Sequence, residues 1–209
     1  MKAETILSHK YNSTITGKGT LLSEIKIVMA AIAAGKDLDL IRRDVIQQDL
    51  LDRMTSHTRE KVWKEIYRRY ISNRDADHIL GLAKFVSNCK NPTAVDLVLF
   101  YENCLVDPLL YDLTAECTYS LYQSARSTID AIDVNEWLSL KETQHPEIST
   151  WSAKTRNRLI TSYLATIRDF GLVTGIKQKY FHKVYVPRET FVYALYFQRD
   201  KGILGKALI

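Results

Sequence analysis

The sequence predicts a mainly α-helical bundle with a helix-turn-helix-like unit at its start and a winged helix-turn-helix carrying a short β-hairpin at its end. Three observations carry that prediction. Most segments between the four prolines and eight glycines have helical period. Residues 152–171 read as an amphipathic helix with a polar, cationic start that stops at Asp169-Phe-Gly171. Residues 176–186, Ile-Lys-Gln-Lys-Tyr-Phe-His-Lys-Val-Tyr-Val, follow as a basic, aromatic ribbon of hairpin length.

Taken in order, a first helix covers about Leu21–Ala34 and ends at Gly35, a suitable C′ residue. A second spans Leu38–Leu51 after Asp37, an N-cap type. A third, Thr58–Ser72, turns Trp63, Ile66, Tyr67 and Tyr70 inward and Lys61, Lys64, Glu65 and Arg68 outward. With Arg59, these cations form a candidate nucleic-acid face, and the three helices resemble a helix-turn-helix unit over residues 1–74.

Residues 75–145 read as a central acidic bundle, with helices at Ala76–Cys89, Thr93–Leu105, Leu109–Ala125 and Val134–Lys141, the last capped by Asp133. Asn91-Pro92 and Asp107-Pro108 mark two of the starts, because proline suits the first turn and discourages helix before it. Tyr101, Tyr111, Tyr119 and Tyr122 fall here at helical spacing and read as core. His145-Pro146 opens a linker into a C-terminal module, residues 146–209, whose final helix, Glu189–Arg199, offers Phe191, Tyr193, Ala194, Leu195 and Phe197 for packing.

In that module Ile160, Tyr163, Leu164, Ile167 and Phe170 form the packing stripe. Lys154, Thr155, Arg158, Thr161 and Ser162 lie opposite, able to meet nucleic acid, and Arg156, nearer the apolar edge, is a nucleic-acid candidate as well. In the ribbon, Lys177, Lys179 and Lys183 are further nucleic-acid candidates; they alternate, so a strand would place all three on one face with Phe181 to meet phosphate. His182 points the other way and is a candidate phosphate or solvent contact. Only Arg158 among Arg156, Asn157 and Arg158 is expected to face outward for base readout, so little sequence discrimination is expected.

Charge is segregated. Residues 53–74 carry seven Lys/Arg against two Asp/Glu and residues 150–209 eleven against three, while residues 75–149 carry four against twelve. Such separation concentrates positive potential where a polyanion could sit and leaves the acidic middle to protein partners.

Catalytic chemistry is hard to place. Thr16-Gly-Lys-Gly-Thr20 lacks phosphate-loop spacing and reads as a flexible turn. Asp37-Leu-Asp39 and Asp75-Ala-Asp77-His78 sit at helix starts, where capping explains them better than metal binding. The five histidines are scattered, with His57 near a helix start. Cys89, Cys104 and Cys117 lack metal or disulfide spacing and read as buried free thiols of a reducing compartment. The start, Met1-Lys-Ala-Glu-Thr-Ile, lacks a signal-peptide core, and the longest apolar run, Ile27–Ala34, is too short to span a bilayer. The expectation is a cytoplasmic, non-enzymatic protein with no cofactor, no small-molecule substrate and no membrane partner.

Several motifs together resemble the BrxA family of bacteriophage-exclusion (BREX) defence systems. They are Tyr11-Asn-Ser-Thr-Ile-Thr-Gly-Lys-Gly, Leu21-Leu-Ser-Glu, and Asp49-Leu-Leu-Asp-Arg-Met-Thr-Ser-His-Thr-Arg-Glu-Lys running into Ile66-Tyr-Arg-Arg-Tyr. Further along come Leu97-Val-Leu-Phe, Leu109-Leu-Tyr-Asp-Leu, Trp151-Ser-Ala-Lys-Thr-Arg-Asn-Arg-Leu and Phe170-Gly-Leu. The pattern covers about residues 10–200, with Asp49 where the family pattern has asparagine. The resemblance implies an α-helical fold likened to antitermination-factor bundles, binding to double-stranded DNA, and action with larger BREX subunits. Three alternatives stand beside it: a protein-interaction adaptor, an RNA-binding bundle and a winged-helix transcription regulator.

Overall fold

A computed structural model describes residues 10–16, 19–52 and 55–200, with side chains through Phe197. The Thr16–Thr20 turn therefore lies partly outside the described residues. Helices α1 (Leu22–Ala33), α2 (Leu38–Gln47), α3 (Ser56–Tyr70), α4 (Ala76–Asn88) and α5 (Pro92–Cys104) come first. A long helix follows, built from α6 (Pro108–Asp112), a π-helical stretch (Leu113–Thr118) and α7 (Tyr119–Gln123). Then come β1 (Thr128–Ile129), α8 (Ala131–Lys141), α9 (Ala153–Asp169), β2 (Val173–Thr174), β3 (Lys179–Phe181) and α10 (Arg188–Asp200). The protein is mostly helical, with one small antiparallel sheet.

The chain divides into two compact units: residues 20–103 with 185–209, and residues 1–19 with 104–184. These group the chain differently from the consecutive segments 1–74, 75–145 and 146–209. The first unit combines α1–α5 with the C-terminal helix. The second contains both the acidic long helix and the basic α9.

The start and stop signals place most boundaries. Asp37 accepts from the backbone N–H groups of Asp39 and Leu40, and Asp75 from that of His78, so both acidic clusters cap helices. Gly35 ends α1 at φ 81°, its N–H donating to the Ile32 carbonyl while Lys36 reaches Ala31. Asp49 sits at φ 55°, a left-handed conformation that Asn and Asp tolerate, and its carboxylate lies 3.5 Å from Arg59. The departure from asparagine therefore keeps the turn and adds an ion pair.

Unit one, α1–α5 with α10, centres on a fully buried carboxylate. Glu102 on α5 meets Arg74 at 2.8 Å and His78 at 3.0 Å, and accepts from the Tyr193 hydroxyl of α10 at 2.9 Å. Burial alone would raise its pKa; the His78 hydrogen bond and the Arg74 charge outweigh that and hold it low. Phe197 packs on the His78 ring, and the Thr190 hydroxyl donates to the Ala94 carbonyl. Tyr193 and Phe197 are buried as expected, but Phe191 is exposed, because α10 turns only one face inward. Tyr67 of α3 is likewise exposed rather than inward, while Arg69 takes a buried place beside Glu65.

In unit two the segment opening at Tyr11 is a structural clamp. The Tyr11 ring stacks on His145 at 3.6 Å, its N–H donates to Glu147 at 2.6 Å, and its hydroxyl donates to Asp112. Burial and the Asp112 carboxylate push the tyrosine pKa up, so it stays a donor. The sheet has the order β1-β3-β2, all antiparallel. β1 was not legible as a strand, since two residues carry no period. The helix after it starts three residues earlier than expected. Asp130, not Asp133, is the N-cap, and the two form a reciprocal capping box.

Tyr111, Tyr119 and Tyr122 are not core: they are 55%, 54% and 42% exposed. The long helix buries Leu109, Leu110, Leu113 and Cys117 instead, and the π-helical stretch shifts the register between the two α segments. Cys104 and Cys117 are buried free thiols, with Cys117 pushed up to about 12 by burial and nearby Asp133. Cys89 is half-buried.

Candidate nucleic-acid interface

The long helix, β1, α8, α9 and the β2–β3 hairpin form one motif within unit two. Helix α9 starts at Ser152, whose hydroxyl accepts from the Thr155 N–H at 3.1 Å and lies 2.9 Å from the Thr155 hydroxyl. Leu159, Ile160, Tyr163 and Ile167 are buried, and the Tyr163 hydroxyl meets that of Thr118 at 2.5 Å. This anchors α9 on the π-helical stretch and fixes which face remains outside.

On that outer face the candidate residues separate into two groups. Lys154 and Arg158 are exposed, with no ion pair among the described residues. Asn157, expected beside the packing stripe, is exposed as well, which gives α9 two neighbouring side chains able to read a base edge. Thr155 is occupied with capping, and Ser162 is half-buried. Arg156 is committed elsewhere. It pairs with Glu142 at 2.5 Å and donates to the Ser139 hydroxyl at 2.7 Å and the Asn135 carbonyl at 3.3 Å, stapling α9 to α8.

The hairpin corrects a further expectation. β3 is only three residues long, so Lys177, Lys179 and Lys183 do not line one strand face. Lys177 lies at the exposed turn and Lys183 beyond the strand, also exposed. Lys179 is 7% exposed, and its ammonium donates to the Ile176 carbonyl. That contact braces the turn, and burial with the neighbouring Arg168 lowers the ammonium's pKa. His182 is exposed.

The basic α3 belongs to unit one, and most of its cations already have acidic partners. Arg59 lies 3.5 Å from Asp49, Lys64 3.2 Å from Glu60, and Arg68 3.0 Å from Glu65. Lys61 is exposed. A groove between α2 and α3 brings together Asp37, Asp39 and Glu60 with Arg42 and Lys64, a mixed lining with no single sign. Net segment charge already counts Glu60 and Glu65 but misses Asp49, which lies before residue 53, and it does not show which cations the acids engage.

Among the described residues no group of three or more His, Cys, Asp or Glu could hold a metal ion, and no helix is long and apolar enough to cross a membrane.

These features define a small, mostly helical protein in which helix α9 and the β2–β3 hairpin each carry solvent-exposed cations. The BrxA family model matches residues 9–195, and the chain belongs to the BrxA family. Membership ties it to BREX phage-defence systems, in which the family is an accessory component. No curated protein matches. Among solved structures, the crystal structure of an uncharacterized protein from Magnetospirillum magneticum is similar, with a TM-score of 0.74 and 17% identity over 91% of this chain and 95% of that one. At that identity the likeness establishes the fold.

Proposed function

We propose that this protein is a non-enzymatic, double-stranded DNA-binding accessory component of a BREX complex, gripping phosphate with Lys154, Arg158, Lys177 and Lys183. The observation that carries this reading is their exposure without ion-pair partners, in contrast to Arg156 and Lys179. All four are exposed and unpaired among the described residues, and they flank a single helix–hairpin motif. The element order and the β1-β3-β2 sheet support reading this motif as a winged helix-turn-helix, with α9 as the groove-facing helix and the hairpin as the wing. Arg156, Lys179 and Thr155 then support the motif instead of touching DNA. The α3 cations Arg59, Lys61, Lys64 and Arg68 contribute little, because most are neutralised locally.

Phosphate contacts of this kind release counterions, so affinity falls linearly with salt on a log–log plot. Lys154→Ala/Arg158→Ala is expected to weaken duplex binding and flatten that slope by roughly one per lost contact, with helicity unchanged. An unaltered affinity and slope in the double variant would remove α9 from the interface.

A second reading has its own observation. The exposed Tyr111, Tyr119 and Tyr122 on the acidic long helix suit a protein partner, since tyrosine contributes strongly at interfaces. This supports contact with another BREX subunit, either alongside DNA binding or as an adaptor in its place. Lys154→Ala/Arg158→Ala leaves such a contact intact.

A further inference from the structure

The turn joining β2 to β3 presents an aliphatic side chain where turns ordinarily carry polar residues. Ile176 is 82% exposed. Its neighbours Gly175, Lys177 and Gln178 have the polar, permissive character such a turn calls for; a β-branched residue does not. A lone exposed apolar residue is unremarkable on a flat surface, but this one stands at the apex of a braced projection.

Three features hold the apex. Gly175 has φ 93°, and a Cβ there would lie 2.1 Å from the Gln178 carbonyl oxygen, so only glycine fits. The buried Lys179 ammonium donates to the carbonyl of Ile176 itself. The Tyr180 hydroxyl donates to the Gln178 side chain at 3.0 Å. Ile176 is thus presented on a fixed backbone beside the exposed Lys177, which would meet phosphate in the proposed complex. Rigid presentation matters because pushing a side chain between stacked bases requires a support that does not yield.

We infer that Ile176 is an apolar wedge, entering the minor groove of duplex DNA and partly unstacking one base step while Lys177 holds the adjacent phosphate. The inference rests on the DNA-binding reading above. Aliphatic wedges of this type kink duplexes by roughly 20–90°, gaining contacts elsewhere at the cost of stacking. Lys179 is on this account a positioning residue, acting through the Ile176 carbonyl.

The test is the end-to-end distance of a doubly dye-labelled duplex, read by energy transfer at saturating protein so that weaker affinity does not mimic a smaller bend. The wild-type protein is expected to shorten the distance. Ile176→Ser is expected to bind with an unchanged salt slope but leave the duplex straight, and Ile176→Leu to restore the bend. Lys177→Ala gives the opposite signature, a salt slope flatter by roughly one with the bend retained at saturation. Duplex bound but straight, or bent equally by Ile176→Ser, overturns the wedge and leaves the DNA-binding reading standing. Absence of any duplex binding by the wild-type protein overturns both.

Discussion

Glu102→Ala is expected to destabilise α1–α5 and α10 by about 3–5 kcal/mol, the range for removing one partner of a buried ion pair. The carboxylate is fully buried and serves Arg74, His78 and Tyr193 at once. Its loss strands a guanidinium that is itself almost wholly buried. Against a typical total of roughly 5–15 kcal/mol this is a large fraction. The thermal midpoint of the unit should fall by roughly 10–20 °C. The pH dependence follows from the same group. Its folded pKa lies below the ordinary 4.5, so the stabilisation is complete above that value and lost as pH falls through the lower folded one. Denaturant titrations should therefore separate wild type from variant widely at pH 7 and progressively less below about 4.5. A midpoint change of only a degree or two at neutral pH would show that the cluster contributes little.

The hairpin lysines should divide when duplex binding and fold stability are measured together. Lys177→Glu/Lys183→Glu is expected to abolish detectable duplex binding while leaving the circular dichroism spectrum and thermal midpoint unchanged, because both side chains are exposed. Lys179→Glu is expected to disrupt the hairpin itself. It replaces a buried donor to the Ile176 carbonyl with a carboxylate that faces the same carbonyl oxygen. The two variants therefore lose binding for different reasons, and hydrogen exchange at Tyr180 and Phe181 distinguishes them. Protection retained in Lys179→Glu, or binding retained in Lys177→Glu/Lys183→Glu, contradicts this division.

Much of the helical framework was legible in the sequence because its signals are local. Asp37, Asp75 and Ser152 cap helices by bonding to backbone two or three residues away, and Gly35 ends one through its own φ. The α9 packing stripe was legible for the same reason: a helix of seventeen residues repeats its period often enough to fix a buried face. Errors arose where the deciding partner is distant in sequence or the element is very short. Arg156 reads as a free cation until Glu142 is brought to it across the α8–α9 connection. Tyr111, Tyr119 and Tyr122 read as core from helical spacing alone, but the π-helical stretch at Leu113–Thr118 shifts the register between Tyr111 and the later pair, and all three stay exposed. β1 and β3, two and three residues long, offer no alternation to read, which misplaced Lys179 and hid the third strand. Charge thus marked the candidate residues but could not separate the exposed ones from those held in the fold.

The most direct measurement is the salt dependence of binding by the wild-type protein to duplex DNA, duplex RNA and single-stranded DNA of equal length, followed by fluorescence anisotropy. The account predicts tightest binding to duplex DNA, with log affinity falling linearly against log salt at roughly 0.9 per phosphate neutralised. Four cations acting at phosphate therefore give a slope of roughly −3 to −4. Tighter binding to RNA would favour an RNA-binding bundle. No binding to any nucleic acid at low salt, or binding indifferent to salt, would contradict the account and leave the tyrosine-bearing long helix as the surface on which this protein works.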